Sequence, residues 1–215
     1  MTGLSIMGGL SFGLEEVAHA QLTYVPEESS RLWIEGKSNV NEFECQANQY
    51  FAEATLIDDN DPIEFQQQLD ARVFMQLEIQ VDGFECGRSR MNKDLQAALK
   101  SSEFPEITFE FDNASILNLP ENNNVDNAFE IEVNGTLSVA GNSRDIHFTT
   151  KAYFVETYLI RAIGKTTIQM SDFNVEPPVA LMGLVKVEDE LTVNFDLYAV
   201  ETQAICQICP SLLQN

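Results

Sequence analysis

The stretch NAFEIEVNGTLSVAGNSRDIHFTTKAYF, residues 127–154, decides the fold of this chain. In its first half, apolar residues occupy alternate positions, so they share one face of a β-strand while polar residues share the other. The pattern breaks at Gly141 and Asn142, which tolerate the positive φ that a tight hairpin needs. It then resumes with the same period through Phe154. The stretch therefore predicts an antiparallel hairpin with one buried face.

The same alternation recurs along the chain and predicts eight strands in all. They lie at 31–38, 41–54, 73–81, 106–111, 129–139, 146–154, 158–170 and 191–197. Closed barrels and two-sheet sandwiches both show this period, so alternation alone leaves the choice between them open. The sequence thus predicts a single antiparallel all-β domain.

One segment, RMNKDLQAALKS at 90–101, changes period. Met91, Leu95 and Leu99 are spaced so that they share one face of an amphipathic helix. Ser89 or Asn92 is a candidate for the cap at its start, because both residue types accept hydrogen bonds from free backbone N–H groups. We expect one short helix between the third and fourth strands.

The charge balance excludes several classes of partner. The chain has 215 residues and a net charge of −22, from 34 acidic and 12 basic residues. Such a balance repels phosphate backbones and anionic membrane surfaces, so no nucleic-acid partner is predicted. No run approaches the roughly 18 to 20 apolar residues of a transmembrane helix. The hydrophobic fraction of 44% is sufficient to bury a sizeable core.

The first twenty residues resemble a secretory leader. They are small and apolar, and they end in Ala18-His19-Ala20, which has the pattern of a signal-peptidase site. This predicts a cleaved leader at 1–20, a mature start at Gln21, and a periplasmic or secreted protein. The absence of a basic residue before the apolar part, together with Glu15-Glu16 near its end, favours the alternative of a merely disordered leader. At the other end, the tail 201–215 has no useful periodicity.

Catalytic and metal-binding motifs are missing from the sequence. Only two histidines are present: His19 lies in the leader, and His147 is predicted to face outward from its strand. No GxSxG, HExxH or phosphate-binding glycine loop occurs. The sequence therefore predicts no enzymatic activity, no catalytic residue, no metal site and no catalytic cofactor.

The four cysteines form two pairs with different expectations. Cys45 and Cys86 lie in or beside separate strands, and in an oxidising compartment we predict that they form a disulfide that closes a loop of about 40 residues. Cys206 and Cys209 form a CxxC after the last strand. A thiol oxidoreductase built on this pair would require a low thiol pKa, which usually comes from the start of a helix. A local disulfide or two inactive thiols are the alternatives.

Five blocks of sequence in a fixed order carry a resemblance to a known family. They are WIEGKSNVNEFEC at 33–45, MNKDLQAALKSSEFPEITFEF at 91–111, NGTLSVAGNSRDI at 134–146, TIQMSDFNVEPP at 167–178 and GLVKVEDELTVNFDL at 183–197. Together they resemble the YceI-like family of lipid- and polyisoprenoid-binding proteins, over a domain at about 30–200. The resemblance implies an eight-stranded lipocalin-like barrel in the periplasm. It also implies that the barrel carries or sequesters an isoprenoid or quinone-like lipid and has no enzymatic activity.

A barrel of these strands would turn one face of each strand inward, away from the acidic face. The predicted outward, wet residues are Glu110, Glu130, Glu132, Asn194 and Asp196. The predicted ligand-binding residues, on the inner faces and on the helix near one mouth, are Val73, Met75, Leu77, Ile79, Met91, Leu95, Leu99, Phe109, Phe111, Ile131, Val133, Val193 and Phe195.

A rival prediction is a filled barrel that serves as an interaction module. Its acidic outer surface would then meet a protein partner. The 14 phenylalanines are compatible with a packed core as well as with a ligand cavity. Phenylalanine and methionine side chains nevertheless adapt to a long ligand better than branched aliphatic ones. The oligomeric state, including a homodimer, is left open by the sequence.

Overall fold

The computed structural model of the protein describes residues 20–58, 72–118, 128–156 and 158–202. Twelve strands and one α-helix lie in these ranges. The strands are β1 (Ala20–Pro26), β2 (Arg31–Ser38), β3 (Glu42–Ala47), β4 (Tyr50–Asp58), β5 (Arg72–Gln80), β6 (Phe84–Glu85), β7 (Glu106–Asn118), β8 (Phe129–Val139), β9 (Asn142–Glu156), β10 (Leu159–Gln169), β11 (Val179–Ala180) and β12 (Val185–Glu201). The helix is α1 (Ser89–Ala98).

Eight of the strands close into an antiparallel barrel. Their order is β1-β4-β5-β7-β8-β9-β10-β12, and β12 returns to pair with β1. The long strand β12 also pairs with β2 beyond the point where β1 ends, and β3 and β6 follow outward from β2. The prediction of an all-β, lipocalin-like, eight-stranded barrel with one helix is confirmed.

The opening stretch forms the hairpin that its alternation predicts. β8 pairs with β9 without a break, from Phe129 opposite Ala152 to Val139 opposite Asn142. Along β8, the residues from Val133 to Val139 alternate between buried and half-buried. Ala140 and Gly141 make the turn with φ of 49° and 77°. His147 lies on the outer face, as predicted, and its Nε2 is 3.6 Å from Glu132 Oε1.

The end of the barrel that carries α1 is called here the mouth end. The β2–β3 hairpin, the start of β12 and the 3-10 turn Met170–Phe173 lie at this end with α1. Phe173, in this turn, and Val175, just after it, are each 2% exposed and belong to the main hydrophobic core of the barrel. The mouth end is therefore built by segments that leave the regular sheet.

The predicted helix cap is wrong. Arg88 in an extended conformation precedes α1, and no side chain caps the helix. Asn92 instead ties the helix to the chain before it, because its Oδ1 accepts a hydrogen bond from Cys86 N at 2.8 Å and its Nδ2 donates to Glu85 Oε2 at 2.9 Å. Cys86 lies just past the end of β6, so its backbone N–H takes the side-chain amide oxygen of Asn92 as its acceptor in place of a neighbouring strand.

Three expectations about the strands need correction. The single strand predicted at 41–54 is two strands: β3 ends at Ala47 and pairs with β2, whereas β4 begins at Tyr50 and pairs with β5. The strand β1 was not predicted, although it closes the barrel between β4 and β12. Asn194 was expected to be wet, yet it is 8% exposed. It lies on the outer face of β12 between its cross-strand partners Trp33 and Lys165, whose long side chains flank it.

Several predictions fall outside the described residues. The leader up to residue 19 and the cysteine pair Cys206 and Cys209 belong to this group. Among the ligand-binding candidates, Val73 pairs in β5, but its side chain is not described.

Candidate functional site

The interior of the barrel holds an apolar cavity of about 270 Å³, called here the inner cavity. Eleven of the thirteen predicted ligand-binding side chains line it: Met75, Leu77, Ile79, Leu95, Leu99, Phe109, Phe111, Ile131, Val133, Val193 and Phe195. The alternation places them there, because each belongs to the inward face of its strand or to the helix face that covers the mouth end. That they contact a ligand stays a prediction.

Polar groups are almost absent from this lining. Thr150 and Thr166 are its two polar residues. Thr150 is 6% exposed, and its hydroxyl donates a hydrogen bond to Ile163 O at 2.9 Å. Because this hydroxyl already donates to the backbone, it does not need a hydrogen-bond acceptor on a ligand. The inner cavity therefore offers apolar contacts and shape, and no charged group.

Glycines within the strands make room for aromatic rings at the wall, a feature that the sequence analysis missed. A Cβ on Gly135 would lie 2.5 Å from Phe109 Cζ, and one on Gly164 would lie 2.7 Å from Phe195 Cζ. The ring of Phe43 covers Gly36 in the same manner. Because each ring lies against neighbouring backbone, it extends less far toward the barrel axis. The sequence signal that could have revealed this feature is a glycine at an inward-facing position of a strand that pairs with a strand carrying an inward-facing phenylalanine.

A second cavity of about 380 Å³ opens at the mouth end and is called here the mouth cleft. It lies between α1 and the β2–β3 hairpin, and Met91, the twelfth predicted residue, is part of its lining. The two cavities share four lining residues: Ile34, Leu95, Met170 and Leu191. A long molecule could therefore occupy both, with these four side chains around the junction.

The mouth cleft has charged side chains in its lining, whereas the inner cavity has none. Arg88, Arg90 and Asp94 line its helix side, and the Nε of Arg90 is 3.8 Å from Asp94 Oδ2. Ser38 and Asn41 line the opposite side, where Ser38 Oγ donates a hydrogen bond to Asn41 O at 2.8 Å. The arrangement is that of an apolar pocket with a polar rim, which suits a molecule with one polar end.

The disulfide predicted between Cys45 and Cys86 is confirmed. Their Cα atoms are 4.0 Å apart, and both cysteines also line the mouth cleft. Cys45 lies in β3 at 1% exposure, and Cys86 lies between β6 and α1. The bond therefore fixes the start of the helix to the wall of the cleft.

Neither a metal centre nor a membrane helix is found in the described parts of the chain. Within 20–58, 72–118, 128–156 and 158–202, no three metal-binding side chains come together. The same residues contain no helix with the length and apolar character to cross a bilayer.

Solved structures resemble this barrel over most of the chain. BcnA of Burkholderia cenocepacia is 20% identical, with a TM-score of 0.59 over 80% of this chain and 96% of that one. A polyisoprenoid binding domain of Saccharophagus degradans, implicated in plant cell wall breakdown, is 12% identical, with a TM-score of 0.60 over 83% and 98%. A mutant of the Campylobacter jejuni YCEI protein is 16% identical, with a TM-score of 0.53 over 94% and 99%. At these identities the likeness shows the fold alone.

The family is shown by sequence. No curated protein matches the chain. The model of the YceI-like domain, however, matches residues 24–199, which include all eight barrel strands at least in part. The chain belongs to the YceI-like family.

Proposed function

We propose that this barrel binds a lipid with a long apolar chain, of isoprenoid or quinone type, and carries or sequesters it without chemical change. The chain of the lipid would occupy the inner cavity, and its polar head group would lie in the mouth cleft. The observation that carries the proposal is the contrast between the two cavities. The inner cavity is lined by apolar side chains and two threonines, whereas the adjoining cleft has arginines and an aspartate at its rim.

The energetics favour an apolar chain. Burial of apolar surface gains about 25 cal/mol per Å², or about 0.8 kcal/mol for each buried CH₂ group. A chain in the inner cavity would therefore bind without any polar anchor. A polar or charged ligand would leave its own groups unpaired among apolar side chains, which costs free energy. Affinity should then depend on the length of the chain more than on the identity of the head group.

The name of the Saccharophagus degradans relative agrees with this class of ligand, since that protein is a polyisoprenoid binding domain. The rival function, a filled barrel that serves as an interaction module, has less support. A filled barrel would have no need of an apolar void of about 270 Å³. The glycines that receive the rings of Phe109 and Phe195 also favour an open interior.

We also propose that the protein works in the periplasm or outside the cell. The Cys45–Cys86 disulfide is typical of oxidising compartments. The pattern Ala18-His19-Ala20 predicts cleavage before Gln21. N-terminal sequencing of protein from an osmotic-shock fraction of its native host should begin at Gln21, and a cytoplasmic pool that retains residues 1–20 would contradict export.

The ligand proposal is tested by blocking the inner cavity. Ile131→Trp and Val193→Trp each place a large ring on an inward face, and each should weaken binding of a long-tailed quinone by about tenfold or more. Thr149→Trp is the matched control, because Thr149 is exposed on the outer face beside Thr150. The affinity of Thr149→Trp for the long-tailed quinone should equal that of the wild type.

The same assay uses quinones that share a head group and differ in tail length. Affinity should rise with tail length in the wild type until the cavity is full, and this dependence should be lost in both inward variants. Equal affinity for short and long tails, or unchanged binding in Ile131→Trp and Val193→Trp, would contradict the proposal. Mass spectrometry of organic extracts from the purified protein would then identify the natural ligand.

A further inference from the structure

Two hairpin tips beside the mouth cleft are bonded into a single ledge. The first tip, 38–41, joins β2 to β3, and the second, 177–187, contains β11 and the start of β12. Asn39 connects them: its N–H donates to Lys186 O at 3.0 Å, its Nδ2 donates to Leu184 O at 2.9 Å, and its Oδ1 accepts from Lys186 N at 2.9 Å. The two tips are called here the ledge. Three hydrogen bonds from one residue hold them side by side.

The ledge exposes large apolar side chains to an unusual degree. Among the described residues, the four most exposed large hydrophobic side chains all belong to it: Val40 at 64%, Val179 at 61%, Met182 at 106% and Leu184 at 73%. Elsewhere on the barrel the highest value is 52%, at Phe51. Isolated apolar residues are common on protein surfaces, but a cluster of this kind marks an interaction site.

The most exposed of these residues, Met182, also adopts a backbone conformation that is unfavourable for it. Met182 has a φ of 55°, in the left-handed region where glycine and asparagine are the usual residues. A polar turn former would relieve strain and exposure together at this position. The chain instead presents a flexible apolar side chain at the most exposed position of the ledge.

The charge of the ledge differs from that of the rest of the protein. In a chain with 34 acidic residues, the segment PPVALMGLVKV at 177–187 has no carboxylate, and neither does SNVN at 38–41. Lys186 is the one charged residue of the two tips. A surface without carboxylates and with a lysine complements the negative potential of a lipid bilayer. An acidic surface would be repelled from it.

We propose that the ledge docks the mouth end on the surface of a lipid bilayer, with its four apolar side chains inserted at the level of the head groups. Val40 belongs both to the ledge and to the lining of the mouth cleft, as do Pro178 and Val185. Docking would therefore place the cleft directly against the membrane. This proposal goes beyond the proposed binding of a lipid, and its test does not require an occupied cavity.

The test is co-sedimentation with vesicles of equimolar phosphatidylethanolamine and phosphatidylglycerol. Met182→Glu combined with Leu184→Glu should lower the vesicle-bound fraction by about tenfold or more, since it removes two inserted side chains and adds two carboxylates. Val40→Asp, on the other tip, should lower it as well. Phe51→Glu combined with Phe74→Glu is the matched control, because it makes the same change of charge at exposed aromatic residues of the barrel wall. The control should bind like the wild type.

Several results would overturn the proposal. These are no sedimentation of the wild type, equal sedimentation of the ledge variants, or an equal loss in the control. A wild-type dimer that the ledge variant dissociates, with no change in vesicle binding, would also overturn it, because the ledge would then cover a second copy. Quinone affinity is measured separately without vesicles. Met182 and Leu184 line neither cavity, so loss of vesicle binding with intact quinone affinity in their double variant separates failure of docking from failure of the cavity.

Discussion

The wall formed by β7, β8, β9 and β10 and the mouth end are held together in different ways. In the wall, each strand pairs with its neighbour in sequence: β7 with β8 and β8 with β9 over most of their length, and β9 with β10 over Leu159–Ile163. At the mouth end, the ties join residues that are distant in sequence. Cys45 and Cys86 are 41 residues apart, and Asn39 and Leu184 are 145 apart.

This difference explains how the protein can contain a void. A wall of hairpins satisfies its backbone hydrogen bonds between strands, so it needs no filled centre to keep its shape. The helix at the mouth end has no such ladder, and none of its ten residues is buried. Its position depends on the disulfide, on Asn92 and on half-buried residues such as Leu95. The mouth end should therefore respond more strongly than the wall to the loss of a single tie.

The largest effect is expected from removal of the disulfide. Replacing both Cys45 and Cys86 by alanine should lower the free energy of unfolding by about 3 to 4 kcal/mol, because the closed loop of about 40 residues no longer restricts the unfolded chain. Urea denaturation of the double variant and of the wild type measures the difference. Hydrogen exchange should become faster in α1 and β3, and it should change little in the β8–β9 hairpin.

Reduced wild-type protein is the control for this experiment, since it loses the bond and keeps the side chains. Its free energy of unfolding should be close to that of the double variant. A loss below about 1 kcal/mol, or equally faster exchange in both regions, would show that the mouth end does not depend on this tie.

An intermediate effect is expected in the wall, at a glycine that the sequence analysis did not single out. A Cβ on Gly135 would lie 2.5 Å from both Glu110 O and Phe109 Cζ. Gly135→Ala must therefore shift the backbone of β7 or push the ring of Phe109 toward the axis, at a cost of about 1 to 3 kcal/mol. Thermal unfolding measures the cost, and weaker quinone binding would show that the ring has entered the cavity.

Gly87→Ala is the control for this variant. Gly87 has a φ of 77°, and a Cβ there would meet nothing within 4 Å. It should change stability only through backbone strain, by about 1 kcal/mol, and leave quinone binding unchanged. Equal quinone binding in Gly135→Ala and the wild type would show that the close approach of Phe109 does not shape the cavity.

The comparison also explains how much the sequence could predict. The wall follows a period of two, so its strands and the inward positions of residues such as Ile131 and Val193 were readable from alternation. The Cys45–Cys86 pair was readable because both residues flank strands in a chain with the features of an exported protein. Closure into a barrel was not readable from the period, and the family resemblance supplied it.

What could not be predicted depends on contacts between distant segments. The strand β1 is short, and its residues become a strand because β4 and β12 offer them partners. The role of Asn92 depends on the place where β6 ends, and no local pattern shows that. The ledge depends on Asn39 meeting Lys186 across 147 residues. Each is a long-range pairing, which local propensity does not encode.

The smallest effect is expected at Tyr24, where β1 closes the wall. Tyr24 is 6% exposed, and burial, followed by the nearby charge of Glu201, raises the pKa of its hydroxyl above the ordinary value of 10.0. The unfolded chain would release this proton at lower pH than the folded protein does. The contribution of Tyr24 to stability is therefore complete below about pH 10 and is lost as the pH rises through the raised pKa. The free energy of unfolding should fall in this alkaline range.

Tyr24→Phe should reduce that alkaline fall while leaving the neutral fold intact, because the ring stays and the ionisable hydroxyl is removed. Burial also raises the pKa of the Tyr50 hydroxyl. The alkaline fall in the free energy of unfolding should therefore be reduced but still present in Tyr24→Phe. It should be smaller again in the double variant that also carries Tyr50→Phe. Urea unfolding across the alkaline range compares the slopes of the three proteins. Identical slopes would mean that Tyr24 keeps contact with water, and that β1 closes the barrel less tightly than its neighbours pair in the wall.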